Sequence, residues 1–207
     1  MKIVHLQYGE SVLSEKMIFV NGDETKLRDI VFKVYLLITD EKYILIDAGC
    51  ETMPGFEMKN FIGTVKALEN SDISTDKITD VIITHAHHDH IECVKYFKNA
   101  TIHIQKDEYV RGMQYIPDEI RVNLFEDEYE FSSYLKIIKI GGHSKGSCIV
   151  EINKENKTFV IVGDECYLKE CLINKIPTGS SFNQDASRRF IEKYSEPQYD
   201  ILLCHDN

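Results

Sequence analysis

Thr84-His85-Ala86-His87-His88-Asp89-His90 stands directly behind the short apolar run Ile78–Thr84, which reads as a buried strand. Three imidazoles and a carboxylate (His85, His87, Asp89, His90) fall within six residues of this stretch. A strand end is held in place by its ladder, and the irregular turn after it aims alternate side chains to two sides. Such a segment can feed two metal ions, with His85 and His87 turned to one and Asp89 and His90 to the other. Neutral imidazole and carboxylate are the usual ligands of zinc, and also of iron and manganese. Four coordinating groups crowded behind a buried strand would be costly without a partner, which makes metal binding the primary reading. His88 occupies the intervening position and is expected to point away.

The remaining ligands are expected at other strand ends. His143 follows Ile140-Gly141-Gly142, Asp164 follows the run ending at Gly163, and His205 follows Ile201–Cys204. Asp164 carries two oxygens and can bridge two ions. His5 and His103 lie in strand patterns away from the cluster and read as structural. Cys166 and Cys204 neighbour proposed ligands, but packing as small hydrophobes outweighs coordination.

Outward from these residues the chain alternates strand and helix signals. Lys2–Tyr8, Lys16–Val20, Asp29–Thr39 and Lys42–Ile46 are strand candidates, with Asp40-Glu41 as a turn. Phe61, Val65 and Leu68 give one apolar face to a helix over Lys59–Glu69. A further helix is expected from about Asp89 to Phe97, a strand over Ala100–Gln105 and a helix over Asp107–Gln114. Pro117–Glu130 is acidic and ambiguous, with Glu126-Asp127-Glu128 read as a solvated face. Tyr134–Ile140, Cys148–Ile152 and Thr158–Val162 read as strands, Asn183–Tyr194 as an amphipathic helix and Tyr199–Cys204 as a last buried strand. Strands in two batches, each followed by helices, predict a layered α/β or α+β sandwich with sheets in the middle.

Composition sets the limits of function. The chain has 207 residues with 24 Lys+Arg against 34 Asp+Glu, a net charge of −10. An acidic chain with no local basic patch repels phosphate backbones, so no nucleic-acid partner is expected. No run approaches the roughly 18–20 apolar residues of a membrane span. Met1–His5 leads straight into a strand pattern without a signal-peptide core, so the cytoplasm is the expected compartment. Six scattered cysteines without a C-x-x-C pair read as reduced thiols. No repeat or linker is visible, and residues 1–207 read as a single domain.

Taken together, Thr84–His90, Gly142-His143-Ser144, Gly163-Asp164, Cys204-His205 and the early strand Ile44-Leu45-Ile46-Asp47-Ala48-Gly49 resemble the metallo-β-lactamase superfamily over nearly the whole chain. The resemblance implies a four-layer αββα sandwich with a dinuclear metal site. It implies His85, His87 and His143 at one ion, Asp89, His90 and His205 at the other, Asp164 as the bridge and Asp47 as support for the motif loop. A bridging aspartate points away from true β-lactamases and toward acyl-homoserine lactonases, glyoxalase II-like thioesterases and phosphoesterases. Asp29–Gly49 and the segment Gly163–Glu170 resemble the lactonases. In them a tyrosine three residues after the bridging aspartate hydrogen-bonds the substrate carbonyl, a role that would fall to Tyr167. The lactonases usually carry Thr-Pro-Gly-His-Thr-Pro-Gly-His around the third histidine, whereas this chain has Gly141-Gly142-His143-Ser144-Lys145-Gly146-Ser147.

The expected function is a metal-dependent hydrolase of a small ester, lactone or thioester, with two divalent ions, zinc first and iron or manganese as alternatives. A hydroxide bridging the ions would be the nucleophile, since coordination lowers the pKa of water. Asp89 would pass a proton to the leaving oxygen, and Tyr167 would donate to the carbonyl oxygen or its oxyanion. The alternatives are a phosphodiesterase or RNA-processing metallohydrolase, and a regulatory protein that keeps the fold without turnover.

Overall fold

A computed structural model describes residues 1–207. The chain divides into two compact units, Met1–Ser11 with Val31–Phe125 and Val12–Ile30 with Glu126–Asn207. The first eight elements are β1 (Lys2–Ser14), α1 (Glu15–Ile18), β2 (Leu27–Ile38), β3 (Tyr43–Ile46), α2 (Thr64–Glu69), β4 (Asp80–Ile83), α3 (His88–Ile91) and β5 (Thr101–Gln105). Then come α4 (Lys106–Gly112), β6 (Arg121–Phe125), β7 (Glu128–Ser132), β8 (Leu135–Lys139), β9 (Cys148–Lys154), β10 (Lys157–Ile161), α5 (Lys169–Ile173), α6 (Gln184–Tyr194) and β11 (Tyr199–Leu202). No helix is long and apolar enough to cross a membrane.

The first sheet has the order β1-β2-β3-β4-β5-β6. β2 and β3 form an antiparallel pair joined by a tight turn in which Thr39 Oγ1 accepts from Lys42 N–H at 2.9 Å. β3, β4, β5 and β6 then run parallel. Parallel strands need crossovers, supplied here by the segments carrying α2, α3 and α4. Because both faces of such strands are covered, they read as continuous apolar runs: Ile44-Leu45-Ile46 and Val81-Ile82-Ile83 are all buried. Parallel strands also end on the same side of the sheet. The turn at Asp47 and the turn at Thr84-His85 therefore emerge beside each other, in the position where α/β sheets place their ligands.

The second sheet has the order β11-β10-β9-β8-β7, antiparallel except for the parallel pair β10-β11. That one parallel pair brings the ends of β10 and β11 together, and Asp164 and His205 follow them. α6 opens on Asn183, whose side chain accepts from Asp185 N–H and Ala186 N–H. Its buried residues Ala186, Ser187, Phe190, Ile191 and Tyr194 form the helical stripe expected from sequence.

Three expectations need correction, and one ambiguous stretch is assigned. Lys16–Val20 is not a strand; β1 runs on to Ser14 and the chain then makes one helical turn, with Phe19 N–H donating to Glu15 O. The helix expected over Lys59–Glu69 begins only at Thr64. Lys59 pairs with Glu10 through two backbone hydrogen bonds, and Gly63, at φ +77°, takes a conformation that cannot continue a helix backward. Pro117–Glu130 contains β6 and the start of β7, hidden by polar composition at the two sheet edges. β11 is half-buried throughout rather than buried, because it too is an edge strand.

A polar relay crosses the first sheet. Asn123 on β6 faces His103 Nδ1 at 3.2 Å, His103 Nε2 lies 2.9 Å from Asp80 Oδ1, and Lys42 Nζ is 2.8 Å from Asp80 Oδ2. His103 is thus structural, as its strand position indicated. Burial pushes the Asp80 carboxyl up, but hydrogen bonds from His103, Lys42 and Thr79 outweigh it and hold the pKa at about 2. The folded-state value is depressed, so its stabilisation is present above the unfolded value and is lost as pH falls from about 4 toward 2. Asp80→Asn is expected to cost about 2 kcal/mol at pH 7 and to flatten that acid limb, read by urea unfolding at pH 7 and pH 3. Equal acid sensitivity in both proteins would contradict this assignment.

Candidate metal centre

The first half of the site is built on Asp47, which leaves the end of β3 at φ +62°. Its Oδ1 accepts from Thr84 N–H at 2.7 Å, and its Oδ2 accepts from Thr84 Oγ1–H at 2.9 Å and from His90 Nδ1 at 2.7 Å. Further backbone contacts hold the motif turn. Ala48 N–H donates to His90 O, Tyr8 Oη–H to Asp89 O, and Ala86 N–H to the buried Glu108 Oε2 at 2.8 Å. Glu108 sits in the first turn of α4, whose cap is the Gln105 side chain.

These contacts set the state of the rings. A carboxylate accepts only, so His90 carries its proton on Nδ1 toward Asp47. The Thr84 hydroxyl gives its hydrogen to Asp47 and thus receives one from His85 Nδ1, 3.1 Å away. In a neutral ring this leaves the lone pair on Nε2. His85 Nε2 stands 3.0 Å from His87 Nδ1, and His90 Nε2 stands 3.5 Å from Asp89 Oδ2. His85 and His90 are buried, whereas the Asp89 carboxylate is 12% exposed.

The second half follows the same pattern. Asp164 lies in the turn Gly163–Glu165 behind β10, and His143 in the turn after β8. His143 Nδ1 donates to Ser180 O at 2.7 Å, and its Nε2 stands 3.4 Å from Asp164 Oδ2. His205 Nε2 is 3.0 Å from Asp164 Oδ1. The two carboxylate oxygens of Asp164 therefore face different histidines. The Tyr167 ring stacks on the His205 ring at 5.2 Å and meets the His143 ring edge-on at 6.1 Å. All four side chains are buried.

The candidate donors form two sets, His85, His87, Asp89 and His90 in the first unit and His143, Asp164 and His205 in the second. Each of the seven residues singled out from sequence falls in one of these sets. Imidazole nitrogens carrying lone pairs together with carboxylate oxygens are the donor chemistry of a divalent transition metal. The proton on the opposite ring nitrogen goes to a carboxylate, hydroxyl or carbonyl, the arrangement that orients metal-ligating histidines. The residues present therefore fit such an ion.

The other residues weighed at the sequence level lie outside both sets. His88 faces Thr52 O at 2.9 Å and Tyr115 Oη at 3.3 Å. The Cys166 thiol is buried and donates to Leu168 O. Cys204 is also buried. Sequence reasoning missed two buried glutamates, Glu108 and Glu165. Glu165 Oε1 accepts from Gly142 N–H at 3.1 Å, His143 N–H at 3.2 Å and the Ser147 hydroxyl. Burial pushes the Glu165 carboxyl up to about 7, against the lowering effect of those hydrogen bonds. Neither glutamate belongs to a spacing that marks it; only the fold brings each to its turn.

Residues 33–205 match the profile of the metallo-beta-lactamase superfamily. The chain belongs to that superfamily. A probable metallo-hydrolase of Methanocaldococcus jannaschii is 30% identical over 151 residues, which cover 72% of this chain and 66% of that protein. The N-acyl homoserine lactonase AiiB of Rhizobium rhizogenes is 26% identical, with 80% of this chain and 77% of that protein covered. Among solved structures, an N-acyl homoserine lactone hydrolase with N-hexanoyl-L-homoserine bound at its metal centre superposes with a TM-score of 0.85. It is 22% identical, and the match covers 99% of this chain and 93% of that one. A probable metal-dependent hydrolase from Staphylococcus aureus superposes at 0.82, also 22% identical, covering 99% and 89%. These likenesses show the α/β sandwich of the superfamily, the fold class expected from sequence.

Asp47→Ala leaves Thr84 N–H and His90 Nδ1–H buried without their acceptor. We expect a loss of roughly 2–4 kcal/mol in the metal-free protein by urea unfolding, the cost of orphaning buried donors of a charged acceptor. A loss below about 0.5 kcal/mol, the range of surface substitutions, would show that Asp47 does not organise the turn.

Proposed function

We propose that this chain is a dinuclear metallohydrolase of a small ester, lactone or thioester, with lactones the favoured class. His85, His87 and His143 would hold one ion, Asp89, His90 and His205 the other, and Asp164 would serve both. The observation that carries this reading is the double facing of Asp164, with Oδ2 toward His143 and Oδ1 toward His205. Zinc is the leading ion for this donor set, with iron or manganese as alternatives. The names of the lactonase relative and of the product-bound structural neighbour support the lactone class. We further propose that residues 1–207 act as one domain and that the enzyme is cytoplasmic. The family match running from residue 33 to 205 supports the first, and six buried free cysteines support the second.

When bound, two divalent ions would polarise a substrate carbonyl and lower the pKa of water toward neutrality. The protein's own groups do the rest. Tyr167, held between the His143 and His205 rings, donates a hydrogen bond from its phenolic O–H to the carbonyl oxygen as negative charge develops there. Asp89, which keeps some exposure, takes a proton from the attacking water and passes it to the leaving oxygen.

The test is a hydrolysis panel of acyl-homoserine lactones, simple lactones, thioesters and phosphodiesters, run on native, chelator-stripped and zinc-restored protein. Lactone, ester or thioester turnover that disappears on stripping and returns with zinc is expected. Turnover confined to phosphodiesters, or none on any substrate, would overturn the reading. Tyr167→Phe deletes a hydroxyl and little volume. It should lower turnover on the best substrate about 10- to 1000-fold, the upper end being the loss of one oxyanion donor, with metal content unchanged. An unchanged rate would remove Tyr167 from the chemistry. Asp164→Ala should weaken binding of at least one ion, measured by competition with a chelator. Native affinity at both sites would show that Asp164 is not the bridge.

A further inference from the structure

The turn that carries His143 is built around a buried carboxyl group. Glu165 is wholly buried, yet its carboxylate meets no lysine or arginine within the polar contacts around it. Oε1 instead collects three donors from one turn: Gly142 N–H, His143 N–H and the Ser147 hydroxyl. Oε2 has no hydrogen-bond partner and lies against the Gly142 backbone, where an added Cβ would stand 2.2 Å from it. Gly142 is thus a glycine because the carboxylate occupies the space of its side chain. The far side of the same turn is tied by Asn183 N–H and Ser181 Oγ–H, both donating to Gly142 O, and by Phe182 N–H donating to His143 O. A carboxylate buried at this cost is retained only where its acceptors are needed.

We propose that Glu165 is the positioning residue of His143, its carboxylate setting where the His143 imidazole stands by gathering the backbone donors of residues 142 and 143 and the Ser147 hydroxyl. Gly142, Ser147 and Glu165 then form one device. The inference rests on the reading of His143 as a metal ligand. Backbone donors gathered by one oxygen fix the Cα of His143, and the Nδ1 contact to Ser180 O fixes its ring. Loss of the carboxylate frees the first of these restraints and leaves the second, so the ligand is kept but is no longer preorganised.

The test compares zinc affinity, by competition with a chromophoric chelator, in the native chain, Glu165→Ala, Glu165→Gln, Gly142→Ala and His143→Ala. The thermal midpoint of each metal-free protein is recorded alongside. Glu165→Ala should weaken zinc binding about 10- to 100-fold, the usual effect of removing a group that orients a ligand. Glu165→Gln keeps an acceptor oxygen and should recover most of that loss. Gly142→Ala drives the carboxylate out of place without removing it and should weaken binding at least tenfold. A merely structural carboxylate would lower the midpoint of the metal-free protein and leave the affinity of the folded fraction within about twofold of native. That result, with His143→Ala clearly weakened, overturns the role of Glu165 and leaves the metal reading intact. Native affinity in His143→Ala overturns the ligand assignment itself. If Glu165→Ala does not fold, Gly142→Ala decides: native affinity there rejects the proposal.

Discussion

The Asp47 carboxylate is the contact on which the first half of the site depends. It takes the Thr84 N–H, the Thr84 hydroxyl and His90 Nδ1–H at once, and so ties the end of β3 to the end of β4 and to the first turn of α3. Parallel pairing puts these ends side by side, but pairing alone does not orient a ring. The carboxylate does so by settling which nitrogen of each histidine keeps its proton. His90 receives its tautomer directly, and His85 receives it through the Thr84 hydroxyl.

The same device recurs. Three buried carboxylates (Asp47, Glu108 and Glu165) each accept from backbone N–H groups in a turn that bears candidate ligands. A turn behind a strand carries amide groups that no ladder partner satisfies, and burying them costs free energy unless an acceptor is supplied. Carboxylates supply strong acceptors, and each turn becomes rigid as a result. The protein thus satisfies its backbone with the same groups that hold donor atoms close before any ion arrives.

Much of this was legible in the sequence, for reasons of locality. The His85–His90 cluster, the strands β3, β4, β5, β9 and β10, and α6 are all written in neighbouring residues, as apolar runs, periodicity and an asparagine cap. His143, Asp164 and His205 were legible because each stands at the end of such a run. Elements whose signal comes from distant partners were not legible. β6 and β7 are polar edge strands recognised only by their neighbours, and the shortened α2 reflects the pairing of Lys59 with Glu10 across 49 positions. Glu108 and Glu165 look like ordinary surface acids until the fold buries them. The glycine at 142 is explained by the carboxylate that fills its side-chain space.

The central claim is that these seven side chains hold two metal ions. Counting metal per chain by inductively coupled plasma mass spectrometry, after purification without chelators, tests it most directly. Close to two divalent transition-metal ions per chain are expected, with zinc foremost. A value near one would contradict the dinuclear assignment, and a value near zero after gentle purification would contradict the metal centre altogether.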